Sequence, residues 1–126
     1  MPAIIGLHHA QITIPKGTET DARRFYCELL GLPEIPKPAS LEGRGGFWVM
    51  AGDREVHIGA EDGVDRHKTK GHLAYEVDDV FAWRSVLTTH GFQPFDDPVI
   101  PGYARFHIRD PFGNRVELIQ RVATTH

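Results

Sequence analysis

The sequence predicts an α+β fold built from two similar halves. Three observations support this fold class. Several short stretches alternate apolar and polar residues, as half-buried strands do. Two other segments repeat apolar residues with a helical period and carry capping residues. The same order of elements occurs twice, which is an internal repeat. The chain of 126 residues has the length of one domain, so we expect a single domain over residues 1–126.

The first half is predicted to begin with a strand and a helix. Residues 7–14 alternate in the manner of a half-buried strand. Thr18 or Thr20 can cap a helix that continues to Leu30, and Gly31 is placed to end it.

The second half is predicted to repeat this arrangement. Residues 72–77 form its first strand, and either Asp78 or Asp79 caps a helix that runs to about His90. Gly91 ends that helix. Module one therefore covers about 5–60 and module two about 71–122, and the polar residues 61–70 between them are predicted to be a loop.

Each half is predicted to close with a hairpin. In the first half, residues 47–50 and 55–58 flank a turn at Gly52. In the second half, residues 103–109 and 115–120 flank a turn that contains glycine. The two halves thus share the order strand, helix, hairpin.

Composition excludes several classes of protein. Hydrophobic residues make up 40% and charged residues 25%, as in ordinary globular domains. The net charge is −3 with no basic stripe, so we expect no nucleic-acid partner. No apolar run reaches membrane-spanning length, so we expect no membrane partner and a cytoplasmic location. Cys27 is the single cysteine, so no internal disulfide can form.

Four potential metal ligands fall on equivalent positions of the two halves. His9 and His72 lie early in the first strands, while His57 and Glu117 lie in the last strands. Strand side chains alternate between faces, and each of the four lies opposite the apolar side that a helix can cover. Glu76 shares the face of His72 but lies too far along the strand to bind the same ion. Three imidazoles and one carboxylate suit a divalent ion, Zn²⁺, Ni²⁺, Fe²⁺, Mn²⁺ or Co²⁺.

Three sequence motifs resemble the vicinal-oxygen-chelate superfamily, which contains glyoxalase I, bleomycin-resistance proteins and extradiol dioxygenases. The motifs are the run at 6–9, the helix segment at 22–32 and the turn segment at 110–117. The resemblance implies paired βαβββ modules that form a cupped mixed sheet with helices on its outer face, usually completed as a homodimer. It also implies that His9, His72 and Glu117 are metal ligands, with His57 on the fourth ligand position.

The subfamily is not fixed by these motifs, because the chain departs from each known pattern. Gln11 stands where fosfomycin-thiol transferases carry a threonine, and Thr13 stands where glyoxalase I has an arginine. His57 replaces one of the two acidic ligands of glyoxalase I. Extradiol dioxygenases leave that fourth position open, and bleomycin-binding members lack the ligands altogether.

Further residues are predicted to face the cup. His107 is the candidate for proton transfer, with a rim histidine as the alternative. Arg105 could hold a substrate carboxylate or form an exposed salt bridge. Alternation along its strand directs Trp48 towards the wall of the cup, and Gln11 shares the face of His9. We therefore include both among the substrate-binding candidates.

These patterns predict a glyoxalase-like, metal-dependent enzyme of the lyase, isomerase or dioxygenase type that acts on a small oxygenated substrate. The family resemblance implies that its ion would bind the substrate through adjacent oxygens and stabilise a developing negative charge. The alternative is a non-catalytic protein that sequesters a ligand or antibiotic. An accessory protein whose main role is dimerisation is a third possibility.

Overall fold

The structure, a computed structural model, describes residues 1–123 and contains two compact units. The first unit covers Met1–Val64, and the second begins at Asp65. The domain predicted over 1–126 extends past this range, and residues 124–126 lie outside the described residues.

The first unit contains a four-stranded mixed sheet and one helical segment. Strand order is β1-β4-β3-β2, with β1 parallel to β4 and the other neighbours antiparallel. The elements are β1 (His9–Ile14), α1 (Glu19–Arg23), a π-helical turn (Arg24–Leu29), β2 (Glu34–Ile35), a 3₁₀ helix (Ala39–Arg44), β3 (Phe47–Ala51) and β4 (Arg54–Ala60).

The second unit contains a three-stranded mixed sheet and one α-helix. Strand order is β5-β7-β6, with β5 parallel and β6 antiparallel to β7. The elements are a 3₁₀ helix (Arg66–Lys68), β5 (His72–Glu76), α2 (Val80–Thr89), β6 (Tyr103–Arg109) and β7 (Arg115–Arg121). The predicted α+β class and the repeated order of strand, helix and hairpin are confirmed.

In each unit the helix covers one face of the sheet. The guanidinium of Arg23 on α1 lies 4.6 Å from the ring centre of Phe47, and Arg84 on α2 lies 5.5 Å from that of Phe106. The core consists of apolar residues on these covered faces and on the helices. Its strand members are Ile14, Phe47, Val49, Val56 and Ile58 in the first unit and Phe106, Ile108, Val116 and Leu118 in the second. Burial of these side chains provides the main driving force for folding.

The first helical segment differs from the regular α-helix that its sequence predicts. It widens to a π-helical turn from Arg24, where the Leu30 amide donates to the Phe25 carbonyl at 2.9 Å. This wider turn accompanies the complete burial of two neighbouring aromatic side chains, Phe25 and Tyr26. Gly31 follows with φ +77°, as expected for a glycine that ends a helix.

The two helix starts also differ from each other. Thr18 occupies the N-cap of α1, but its hydroxyl donates to the Pro15 carbonyl at 2.6 Å and makes no capping bond. Asp79 caps α2 through its carboxylate, which accepts from the Ala82 amide at 3.0 Å. Within the part of the chain that the structure describes, no helix is long and apolar enough to cross a membrane.

Candidate metal centre

A buried carboxylate, Glu117, lies at the centre of a polar cluster on the uncovered face of the second sheet. It pairs with His107 on β6 and with Ala74 on β5 in the strand register. Because alternate residues share a face, the same face carries His72 and Arg115. The sequence therefore places basic side chains around one acidic residue.

The ring of His72 directs a free lone pair at Glu117. Nδ1 of His72 lies 2.9 Å from the Lys70 carbonyl, which can only accept, so Nδ1 carries the proton. Nε2 then has no proton in the neutral ring, yet it lies 2.7 Å from Oε1 of Glu117. Two acceptors at this distance require a cation between them, either a proton or a metal ion. This donor pair fits a divalent ion, and the Lys70 carbonyl orients the imidazole as outer-shell partners of metal-binding histidines do.

His107 lies beside the same carboxylate and is fully buried. Its Nε2 is 3.0 Å from Oε1 of Glu117. His72, His107 and Glu117 each offer one ligand atom, and these atoms all lie within 4.8 Å of one another. This is the one group of metal-competent side chains found among the described residues.

Two arginines adjoin the cluster. Nη1 of Arg105 lies 3.4 Å from Oε2 of Glu117, and Nη2 of Arg115 lies 2.8 Å from Nδ1 of His107. Asp97 accepts from Arg115 at 2.9 Å. Arg105 also donates to the Pro98 carbonyl, so protein groups already occupy several donors of the guanidinium predicted to bind substrate.

These neighbours change the acidity of both buried groups. Burial alone would raise the pKa of Glu117, but hydrogen bonds from His72, when its Nε2 also carries a proton, and from His107 hold that pKa below its ordinary value. Burial lowers the pKa of His107, and the hydrogen bond with Glu117 opposes that change only in part. The cluster therefore favours an ionised carboxylate next to a neutral imidazole.

Three aromatic rings stack on the uncovered face of the sheet in the first unit. The rings of Trp48 and His57 are 3.6 Å apart and nearly parallel, and the ring of His9, an exposed residue on β1, lies 4.0 Å from that of His57. Nε2 of His57 lies 2.9 Å from Oε1 of Glu55 and therefore donates a proton to it. This hydrogen bond lowers the pKa of Glu55 and leaves Nδ1 of the neutral His57 ring as its lone-pair nitrogen.

Gln11 lies next to this stack, opposite His57 in the register of β1 and β4. Its amide nitrogen lies over Gly59, where an added Cβ would come within 2.6 Å. The structure thus groups Gln11, Trp48, His9 and His57 in the first unit. It groups His72, His107, Glu117 and Arg105 in the second.

Comparison with known families shows the superfamily to which the chain belongs. The model of the Glyoxalase/Bleomycin resistance protein/Dioxygenase superfamily matches residues 6–118. The chain belongs to this superfamily. Its members often use divalent metal ions and bind small-molecule substrates.

Solved structures of the superfamily share the fold of this chain. A protein from Bacillus anthracis assigned to the glyoxalase family is 38% identical, with a TM-score of 0.88 and coverage of 97% of this chain and 99% of that chain. A glyoxalase/dioxygenase from Nostoc punctiforme is 21% identical, with a TM-score of 0.76 and coverage of 94% and 92%. A comparison with curated proteins finds no significant match.

A third structure contains a metal ion. It is a mutant of the genomically encoded fosfomycin resistance protein FosX from Listeria monocytogenes, in complex with Mn(II) and 1S,2S-dihydroxypropylphosphonic acid. It is 17% identical to this glyoxalase-superfamily chain, with a TM-score of 0.77 and coverage of 95% of each chain. At this identity the likeness shows the fold alone.

Sequence reasoning missed two participants in the cluster, Arg115 and Asp97. Arg115 could have been found, because it lies two positions before Glu117 on one strand and so shares its face. Asp97 lies in the segment before β6, where no periodic pattern indicates which way a side chain points. The partner of Nδ1 of His72 is a backbone carbonyl, which no residue type reveals.

Proposed function

We propose that this chain is a metal-dependent enzyme of the glyoxalase-like class, acting on a small oxygenated substrate. The observation that supports the proposal most directly is the approach of the lone pair of His72 Nε2 to Glu117 Oε1 at 2.7 Å. His72 and Glu117 are the ligands from the second unit. That His9 and His57 also bind the ion remains a prediction from the sequence.

The proposed chemistry follows from the donor set. A divalent ion bound there would polarise substrate oxygens and stabilise negative charge that develops on them. Glu117 and His107 are buried and shield one side of the site from water, whereas His72 is exposed. Electrostatic interactions are stronger on that buried side. We propose a lyase, isomerase or dioxygenase reaction, which the identity of the metal will help to separate.

Metal content tests this proposal. The untagged protein, purified without chelators, is expected to carry a divalent metal near one per chain when measured by elemental mass spectrometry. Glu117→Gln should lose the metal, because the amide removes the anionic ligand while keeping the shape of the side chain. Glu76→Gln is the matched control, since Glu76 is an exposed glutamate on β5. It should retain the metal.

The same measurement examines the predicted ligands of the first unit. His57→Ala should lower the metal content if His57 is a ligand, and His90→Ala, at an exposed histidine at the end of α2, should not. A wild-type protein that stays empty after incubation with each of the five candidate ions would contradict the enzyme proposal.

A ligand-sequestering protein is the second candidate. The ring stack of Trp48, His57 and His9 favours it, because stacked aromatic surfaces bind planar ligands well. Under this alternative the chain would fold without metal and bind an aromatic ligand tightly. Replacement of Trp48 would then weaken ligand binding, whereas Glu117→Gln would leave it unchanged.

A further inference from the structure

The fully buried ring of His107 contacts charged groups at both of its nitrogens. Nδ1 lies 2.8 Å from Nη2 of Arg115, and Nε2 lies 3.0 Å from Oε1 of Glu117. The ring is 0% exposed, so bulk water does not compete for either nitrogen. The chemistry of these two neighbours therefore determines which nitrogen carries the proton.

Arg115 requires Nδ1 to be the acceptor. A guanidinium has only donors, so the nitrogen that faces it must offer a lone pair. The proton of the neutral ring is then on Nε2, where it donates to the carboxylate of Glu117. Nη1 of Arg105 also lies 3.4 Å from Nε2, but two donors cannot form a hydrogen bond, and its acceptor is Oε2 of Glu117.

We propose that His107 is a positioning residue, which Arg115 locks in the Nε2-protonated form so that it holds the carboxylate of Glu117 in place. In this role His107 neither binds the metal ion nor transfers a proton during the reaction. The proposal rests on the proposed function, in which Glu117 is a metal ligand. It replaces the proton-transfer role that the sequence predicts for His107.

The opposite orientation of the neighbouring histidine supports this division of roles. The Lys70 carbonyl places the proton of His72 on Nδ1 and leaves Nε2 bare towards Glu117. Arg115 does the reverse at His107. One carboxylate is therefore contacted by one imidazole that offers a lone pair and by another that offers a proton. The first suits a metal ligand, and the second suits a partner that orients a ligand.

Hydrogen bonds hold both the backbone of His107 and the guanidinium of Arg115 in place. Its backbone exchanges two hydrogen bonds with Phe95, at 2.8 and 2.9 Å, and it lies directly opposite Glu117 in the pairing of β6 with β7. Asp97 accepts from Arg115 at 2.9 Å and so fixes the guanidinium. A chain of hydrogen bonds thus runs from Asp97 through Arg115 and His107 to Glu117.

Nitrogen NMR tests directly whether Nε2 of His107 carries the proton. Long-range ¹H–¹⁵N spectra of the chelated and the zinc-loaded protein, with His107 assigned by its absence in His107→Gln, report which ring nitrogen is protonated. We expect a protonated Nε2 and a bare Nδ1 in both states. A protonated Nδ1, or loss of the Nε2 proton when zinc binds, would overturn the proposal.

This experiment distinguishes failure of the role proposed for His107 from failure of the proposed function. If the protein binds no zinc but Nε2 of His107 carries the expected proton, the proposed metal site is contradicted and the proposed proton position is supported. If the protein binds zinc and the proton lies on Nδ1, only the role proposed for His107 is contradicted.

Zinc affinity tests the consequence for Glu117. Loss of an outer-shell partner typically weakens metal binding by about 10–100-fold, so we expect that increase in the zinc Kd for His107→Leu and for Arg115→Met. His107→Gln, which keeps an N–H donor near the Nε2 position, should bind zinc nearly as tightly as the wild type. If His107 were a ligand, the Gln variant would lose affinity as severely as the Leu variant.

Arg121→Met is the matched control for the arginine. Arg121 is exposed at the end of the same strand, so its loss should leave the zinc Kd unchanged. Circular dichroism of each variant reports whether it folds. If His107→Leu does not fold, the comparison of His107→Gln and Arg115→Met with the wild type still decides the question.

Discussion

At the residue scale, the two oxygens of Glu117 contact three basic side chains. Oε1 faces His72 and His107, and Oε2 faces Arg105. Glu117 is 4% exposed, and a buried charge is tolerated only where it is paired and hydrogen-bonded. Its partners therefore contribute to stability as well as to the proposed chemistry.

Replacing this carboxylate is expected to destabilise the protein even without metal. In Glu117→Gln the neutral amide leaves the guanidinium of Arg105 without its buried anionic partner. We expect a loss of about 1–3 kcal/mol in the free energy of unfolding, measured by urea denaturation of the chelated protein. Glu76→Gln should change it by less than about 0.5 kcal/mol. Equal stability of the Glu117 variant and the wild type would show that Arg105 does not depend on this carboxylate.

Strand alternation predicted which residues share a face, but not where the protons lie. His72 and Glu117 follow from that rule together with their places in the repeat. The proton positions on His72 and His107 depend on the Lys70 carbonyl and on Arg115, and those contacts arise only once the strands pair. The role that we propose for His107 therefore could not be derived from its residue type and its place in the strand alternation.

At the scale of single elements, the sequence left open whether Asp78 or Asp79 caps α2. The carboxylate of Asp79 accepts from the Ala82 amide. Asp79→Ala is expected to lower the free energy of unfolding by about 1 kcal/mol, because a backbone donor at the helix start loses its partner. Asp78→Ala is the matched control and should have a smaller effect in the same thermal or urea unfolding experiment. The reverse ranking would show that the capping bond is not the stabilising contact.

The chain enters β3 through Gly46, a position where a side chain would clash with the neighbouring strand. Gly46 has φ +76°, and an added Cβ would lie 2.0 Å from the Ile58 carbonyl oxygen on the neighbouring strand β4. Gly46→Ala therefore combines a strained backbone with a clash against main-chain atoms. We expect it to cost more than about 2 kcal/mol in the free energy of unfolding.

Gly31→Ala separates these two effects. Gly31 has nearly the same backbone angle, φ +77°, but an added Cβ would meet nothing within 4 Å. It should cost only about 1 kcal/mol in the same denaturation experiment, from the positive φ alone. If the two variants were equally stable, the close approach to Ile58 would not matter.

Element types and ends were predicted well where the pattern was strong. The strands of both hairpins agree to within two residues because each is bounded by a glycine-containing turn and alternates cleanly. The π-helical turn was not predicted, since Phe25 and Tyr26 are compatible with a regular helix and only their joint burial distinguishes the wider turn. The short strand β2 was also missed, because its residues lie in a proline-rich connection.

At the scale of the whole molecule, the N-terminal segment exposes large apolar side chains. Ile4 and Ile5 are 95% and 101% exposed, and Leu7 is also exposed. A group of exposed apolar residues is typical of an interaction surface. The family resemblance predicts a homodimer. We propose that this N-terminal segment contributes to the interface of that dimer.

Truncation tests that assignment. Deleting residues 1–7 should shift the protein from dimer to monomer in light scattering coupled to gel filtration. The substitution Val99→Ser, at another exposed apolar residue, is the control and should leave the mass unchanged. A truncated protein with the dimer mass would place the interface elsewhere, and a monomeric wild type would contradict the predicted homodimer.

We propose above all that His72 and Glu117 bind a divalent ion. A crystal structure of the zinc-soaked protein, with an anomalous difference map at the zinc edge, tests it most directly. We predict a peak within about 2.0–2.2 Å of both His72 Nε2 and a carboxylate oxygen of Glu117, with Nε2 of His107 outside bonding distance. No peak at saturating zinc, or a peak bound by other side chains, would contradict the claim.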